Sequence, residues 1–86
     1  MDHEEKSHKQ VTIIVNGRQK LVSKEAISFD EVIALAFENP PTGENIMFSV
    51  IYRRGHGDKP AGTLIAGQSV KVKEGMIFDV TATNKS

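Results

Sequence analysis

The side chains that could do chemistry are few and scattered in this chain of 86 residues. His3 and His8 lie in a polar stretch where nothing nearby supplies a defined metal coordination set, so we interpret them as solvated. His56 has no serine or carboxylate at a spacing that indicates a catalytic set. The chain has no cysteine, which removes thiolate catalysis, disulfides and cysteine-based zinc sites. The sequence therefore predicts a protein that is not an enzyme and has no cofactor or metal.

A glycine-rich loop, Arg54 to Gly62 (RGHGDKPAG), is the best candidate for ligand contact. Its Gly-x-Gly and nearby basic side chains could hold an anion, with Arg54 and His56 among them. A phosphate loop normally leads into a helix N-terminus, however, and the segment TLIA that follows is too short for one. We therefore favour a structural or partner-contacting loop, with anion binding as the lesser alternative.

Composition excludes several other classes of function. Lys plus Arg and Asp plus Glu number 11 each, so the chain lacks the overall basic charge that drives nucleic-acid binding. No apolar run approaches the roughly 20 residues that span a bilayer, and the charged N-terminus lacks the apolar region of a signal peptide. We predict a soluble, cytoplasmic protein that binds neither nucleic acid nor membrane.

One amphipathic stretch, Ser28 to Phe37 (SFDEVIALAF), is predicted to organise the fold. Its apolar residues recur at the i, i+3, i+4, i+7, i+8 spacing, which places them on one face of a helix. Ser28 and Glu31 have the spacing of a capping box, and Pro40 prevents the helix from continuing. So short a helix needs a packing surface for its stability.

A β-hairpin is predicted before this helix. The segment QVTIIV, from position 10, runs into an Asn-Gly turn and a second strand that reaches position 24. A two-residue turn would pair Val11 with Val22, whereas a three-residue turn would pair Val11 with Leu21. We favour the three-residue turn because it places Leu21 on the same face as Val11 and Ile13.

Two longer strands are predicted after the helix. Ile46 to Arg53 (IMFSVIYR) alternates, with its even-numbered side chains toward the core. Met47 and Ile51 then lie on the opposite face, either in an exposed partner-binding patch or under a neighbouring loop. Met76 to Thr83 (MIFDVTAT) is predicted to be a central strand, with Ile77 on the face of that strand that points away from the core. Two short segments, TLIA and SVKVK, lie between these strands.

The order of elements predicts the fold class. A ββαββ order with one helix packed across one face of a small mixed sheet is an α+β arrangement, the β-grasp or ubiquitin-like architecture. We divide the chain into a flexible N-terminal tail at 1–9, a domain at 10–83 and a short C-terminal tail at 84–86.

The sequence from position 10 to 86 also resembles the bacterial multiubiquitin-type family of ubiquitin-like domains. The most specific segments are NPPTG, the RGHG loop and VKEGMIF followed by VTAT. The resemblance implies a protein modifier that is joined to targets through its C-terminal tail. It also implies three partners encoded in the same operon: a ubiquitin-activating-like enzyme, a conjugating-like enzyme and a peptidase.

The resemblance also implies where such partners bind. It places a partner-binding face around Met47, Ile51 and Ile77. It places the conjugation or processing tail at the last four residues, namely Thr83, Asn84, Lys85 and Ser86. Because the chain lacks the usual terminal Gly-Gly, three possibilities stay open: activation at Ser86, trimming to Thr83 or Asn84, and a different transfer chemistry. The alternative function is a non-covalent interaction or scaffold domain that self-associates through its first or another edge strand.

Overall fold

The computed structural model describes residues 9–37, 39, 43, 45–55, 57 and 60–84. Positions 1–8 of the tail predicted at 1–9, with His3 and His8, lie outside this part of the chain, as do Pro40 and Pro41. The elements in chain order are β1 (Gln10–Val15), β2 (Arg18–Ser23), β3 (Ala26–Ser28), α1 (Phe29–Ala36), β4 (Ile46–Arg53), β5 (Gly62–Leu64), β6 (Ser69–Lys71) and β7 (Ile77–Asn84).

Five of these strands form one mixed sheet in the order β2-β1-β7-β4-β5. The central pair, β1 and β7, is parallel, with Ile14 opposite Ile77 and Val15 opposite Phe78. The other neighbours are antiparallel, and α1 packs on one face of the sheet. The predicted α+β fold of β-grasp type is therefore confirmed, and so is the central position of the last strand.

The hairpin register differs from the one we favoured. Val11 pairs with Val22, so the connection is the two-residue turn Asn16-Gly17. Both turn residues have positive φ, 52° and 82°, as in the primed turns whose twist matches that of the flanking strands. The three-residue turn was wrong because it gave too much weight to burying Leu21. This side chain lies on the face away from the helix and is 63% exposed.

The helix begins with the predicted capping box. The Ser28 hydroxyl accepts a hydrogen bond from the Glu31 backbone N–H at 3.1 Å, and the Glu31 carboxylate accepts one from the Ser28 N–H at 2.8 Å. These two bonds satisfy two of the backbone donors that a helix start leaves unpaired. The last helical residue is Ala36, because Phe37 already has an extended backbone with φ −132°. The helix therefore lacks both ends of the predicted stretch, because Ser28 is its N-cap and Phe37 its C-cap.

A small second ladder was missed in the sequence. Strand β3 pairs with β6, with Ile27 opposite Val70, and holds the start of the helix against the end of the sheet. With three residues, β3 is too short to show an alternating pattern.

The core lies between the helix and one face of the sheet. Val32 and Ile33 of the helix are buried. Val50 of β4 is also buried, and its even-numbered neighbours Ile46, Phe48 and Tyr52 are partly buried, as their alternation predicts. No polar or charged residue in the described part of the chain is buried. The other buried hydrophobic residues are Val11, Ile13, Val15, Ile27, Leu64, Val72, Met76, Phe78 and Val80.

Candidate partner-binding surface

The face of the sheet opposite the helix carries the three predicted partner-binding residues. Met47 and Ile51 are 52% and 47% exposed, so the described residues do not cover them. The register between β4 and β7 places Ile77 opposite Arg53, two residues along β4 from Ile51. Ile51 and Ile77 are therefore diagonal neighbours, whereas Met47 lies four residues further along β4, about 13 Å away. The three residues form a strip and not a compact cluster.

Two further apolar residues extend this strip and were not predicted. Ile14 of β1 lies directly beside Ile77 and is half-buried. Leu21 of β2 lies beyond it, on the same face, opposite Thr12. The alternation of side chains along β1 already placed Ile14 on the face of the sheet away from its buried neighbours Ile13 and Val15. The correct register of the hairpin was also needed to place Leu21.

An ion pair interrupts the apolar strip. Arg53 Nη1 lies 3.1 Å from Asp79 Oδ2, and both side chains are about half exposed, 56% and 45%. Asp79 is opposite Ile51, and Arg53 is opposite Ile77, so the pair crosses the strip diagonally. A pair this exposed contributes little to stability. It gives the surface charged groups that a partner could use for orientation.

Strand β7 is fixed beneath this surface by the hairpin turn. The Asn16 side-chain amide donates to the Val80 carbonyl oxygen at 3.1 Å, and its oxygen accepts from the Val80 N–H at 2.8 Å. The Asn16 backbone N–H donates to the Phe78 carbonyl at 3.0 Å. Asn16 thus continues the parallel β1–β7 ladder beyond the end of β1.

The C-terminal end of the described chain belongs to the sheet. Thr83 pairs with Met47, and Asn84 pairs with Ile46. Thr83 thus lies in the last strand, as predicted, whereas Asn84, which we assigned to the C-terminal tail, is the last residue of β7. A conjugation role for these residues stays a prediction. Lys85 and Ser86 lie outside the described residues.

The glycine-rich loop has structural reasons for its glycines. A Cβ at Gly55 would lie 3.0 Å from the Pro60 carbonyl oxygen and 3.1 Å from Met76 Cε. A Cβ at Gly62 would lie 2.8 Å from the Tyr52 hydroxyl oxygen, closer than real Cβ contacts allow. Arg54 is exposed and has φ 62°, while His56 lies outside the described residues. A contact role for Arg54 and His56 stays a prediction.

The two edges of the sheet are β2 and β5. β1 lies between β2 and β7, so the idea that the first strand offers a free edge was wrong. Strand β5 pairs only with Val50, Ile51 and Tyr52, which leaves the first half of β4 without a neighbour on that side among the described residues.

The described residues contain no cluster of three His, Asp or Glu side chains that could hold a metal ion. Their helix is also too short to cross a membrane.

Comparison of the sequence with protein-family models identifies the family of this chain. The model of the multiubiquitin family matches residues 11–84. The chain belongs to the multiubiquitin family. In this multiubiquitin domain the match runs from the second residue of β1 to the last residue of β7, so it includes both central strands and the exposed strip. The resemblance predicted from the sequence is therefore confirmed. No curated protein and no solved structure matches the chain.

Proposed function

We propose that this multiubiquitin domain is a ubiquitin-like protein modifier. A ubiquitin-activating-like enzyme and a conjugating-like enzyme of the same operon join its C-terminal end to targets, and a peptidase trims that end where needed. The observation that carries this proposal is the family match over residues 11–84. The domain itself supplies a carboxylate and a recognition surface, whereas the partners supply the catalytic groups.

The proposed chemistry has two steps. A C-terminal carboxylate oxygen attacks the α-phosphorus of ATP, pyrophosphate leaves, and an acyl-adenylate forms. The conjugating enzyme then carries the acyl group to a target amine, which releases AMP and a proton and leaves an amide bond. Activation by adenylation is needed because a free carboxylate is a poor acceptor for an amine nucleophile.

The position of β7 supports recognition next to the reacting end. Because Thr83 pairs with Met47, the Cα atoms of these two residues lie about 5 Å apart. An enzyme that binds the strip of Met47, Ile51 and Ile77 is thereby held beside the last residues of β7. In this proposal Arg54, the next residue after Arg53, contacts partners at the other end of the strip, where Arg53 and Ile77 pair. His56 is proposed as a further partner contact.

The ladder places a condition on trimming. A carboxyl group generated at Thr83 or Asn84 would lie within the paired part of β7, where β4 blocks one side of the backbone. The end of β7 must therefore detach from β4 if the enzymes use either residue.

The experiment incubates the purified domain with the three operon enzymes and ATP, and follows its intact mass. We expect either a trimmed chain or an adduct formed with loss of one water. Ile51→Glu should slow adduct formation at least about tenfold, since it places a charge in the strip. Ala34→Glu is the matched control, because it adds the same charge at an exposed position of the helix, on the other side of the sheet from the strip. If the mass is unchanged with all components present, the proposal is rejected.

A second candidate function is a non-covalent scaffold. The observation that favours it is that no described residue pairs with the outer side of β2 or with the first half of β4 on the β5 side, because exposed edges can pair with another chain. Light scattering over a range of concentrations tests self-association. If the molecular mass remains that of a monomer at every concentration, the scaffold function is rejected.

A further inference from the structure

A groove of about 380 Å³ lies between the β2 edge and the helix, away from the exposed strip. Its apolar lining comes from Val22, Ala26, Ile27, Ala34 and Leu35, with Glu31 at its helix wall. Val22 and Leu35 are partly buried against the core, so the floor of the groove is continuous with the core. Apolar concave surfaces of this kind are typical binding sites.

Among the residues that the structure describes, no strand pairs with the outer side of β2, the strand that borders this groove. In an antiparallel ladder, residues alternate between bonding to their neighbour and pointing away from it. The N–H groups of Thr12 and Ile14 donate away from β2, to the Glu74 carboxylate and the Met76 carbonyl. Their partners in β2, Leu21 and Gln19, must therefore point their own N–H and C=O groups to the open edge. Another strand could pair there.

The charges around the groove indicate which strand fits. Arg18, Lys20 and Val22 lie on the same side of β2 as the helix, since they pair with buried residues of β1. Of these three, only Val22 lines the groove, and Lys20 and Arg18 follow along β2 beyond its end. β2 itself contains no carboxylate. On the opposite wall, Glu31 is held by the Ser28 N–H at 2.8 Å. A carboxylate on an added strand would therefore face the cations of β2, at the wall away from Glu31.

We propose that the groove binds an extended acidic segment of another protein, which pairs with β2 and places an apolar side chain beside Val22. Two residues along the segment, on the same face, an Asp or Glu lies beside Lys20, because side chains alternate along a strand. A second copy fits poorly at this edge, because pairing β2 with β2 would bring Arg18 and Lys20 of both copies into one ladder. The site uses neither the C-terminal end nor the exposed strip.

The test uses fluorescein-labelled peptides and fluorescence anisotropy. The probe has the core Val-Ile-Asp-Thr-Glu, and a second probe has the reversed order because the strand direction is not fixed by the charges. A peptide with the core Val-Ile-Lys-Thr-Lys is the control. We expect one acidic probe to bind, with affinity that falls as salt rises, and the basic peptide to bind at least tenfold more weakly. If neither acidic probe binds below ~1 mM, the proposal is overturned.

Variants locate the binding site. Lys20→Gln should weaken binding about three- to tenfold through loss of the charge pair. Ala34→Gln should weaken it further by filling the groove, while glutamine remains a good helix former. Thr63→Glu is the control, because it changes the net charge by the same amount as Lys20→Gln but lies on the other edge strand. Equal losses for Thr63→Glu and Lys20→Gln would show that only net charge matters and would overturn the proposal.

Hydrogen exchange gives an independent readout of strand pairing. In the free protein, the amides of Gln19 and Leu21 should exchange fast, while those of Lys20 and Val22 are already bonded to β1. Saturating acidic probe should slow exchange at Gln19 and Leu21. Slowed exchange along β4 and β5 instead would overturn the proposal in favour of another site. A dimer mass in light scattering without peptide would overturn it in favour of a second copy of the chain.

Discussion

The side chain of Asn16 offers the sharpest test of how the hairpin holds the central strand. Asn16→Ala removes both side-chain hydrogen bonds to Val80, at 2.8 and 3.1 Å. A net hydrogen bond contributes about 0.5–1.5 kcal/mol. The substitution also places alanine at φ 52°, where the left-handed conformation costs a residue with a Cβ about 1–2 kcal/mol. Together these effects predict a loss of about 2–5 kcal/mol in the free energy of unfolding.

Asn16→Gly separates the two causes. Glycine adopts positive φ without a steric cost, so only the hydrogen bonds to Val80 are lost, at about 1–3 kcal/mol. Gln19→Ala is the matched control in the same hairpin, because Gln19 is exposed. Its effect should stay within about 0.5 kcal/mol.

Urea unfolding followed by far-ultraviolet circular dichroism measures these differences. The chain has no tryptophan and a single tyrosine, so fluorescence is a poor probe. The transition midpoint should fall without a change in the slope of free energy with urea. A loss of ~2 kcal/mol corresponds to a melting temperature lowered by about 8–16 °C in a domain of this size. A cost below ~1 kcal/mol for Asn16→Ala would refute the idea that Asn16 holds β7.

Three further substitutions test packing and charge. Phe37→Ala should lower the free energy of unfolding by about 2 kcal/mol, because Phe37 is only partly buried; a fully buried phenylalanine would cost about 3–5 kcal/mol. Urea unfolding measures this loss, and a value of about 5 kcal/mol would contradict the prediction. Gly62→Ala should destabilise the domain, since its Cβ would lie 2.8 Å from the Tyr52 hydroxyl. A thermal melt should then show partial rescue when Tyr52→Phe is added, and no rescue would refute the clash. Asp79→Asn should change the free energy of unfolding by less than ~0.5 kcal/mol, because its pair with Arg53 is exposed; a loss above 1 kcal/mol in the same assay would contradict this.

Strong local patterns made much of the fold predictable. The capping box of Ser28, the alternation of β4 and the apolar last strand each depend on residues close together in the sequence. The hairpin register was different, because the burial of Leu21 and the geometry of the Asn-Gly turn gave opposite answers. The turn geometry determined the register, since an edge strand can leave a leucine exposed.

The candidate surface was predictable only in part. The alternation of β4 placed Met47 and Ile51 outside the core, and both are exposed. The neighbours of these residues depend on strand order, and no local pattern indicates that β1 and β7 lie side by side. For the same reason, the sequence did not show that Thr83 and Asn84 pair with β4. The groove beside β2 also depends on where the helix packs, which is a tertiary property.

The parallel pairing of β1 with β7 has a consequence for synthesis of the chain. Asn16 bonds to Val80, 64 residues later, and Ile14 bonds to Met76. On the ribosome, the first hairpin and the helix therefore emerge long before the strand that must lie between β1 and β4. The core can close only when the last strand is available, so folding waits for the end of this segment. Until then, β1 and β4 expose the edges that β7 later covers.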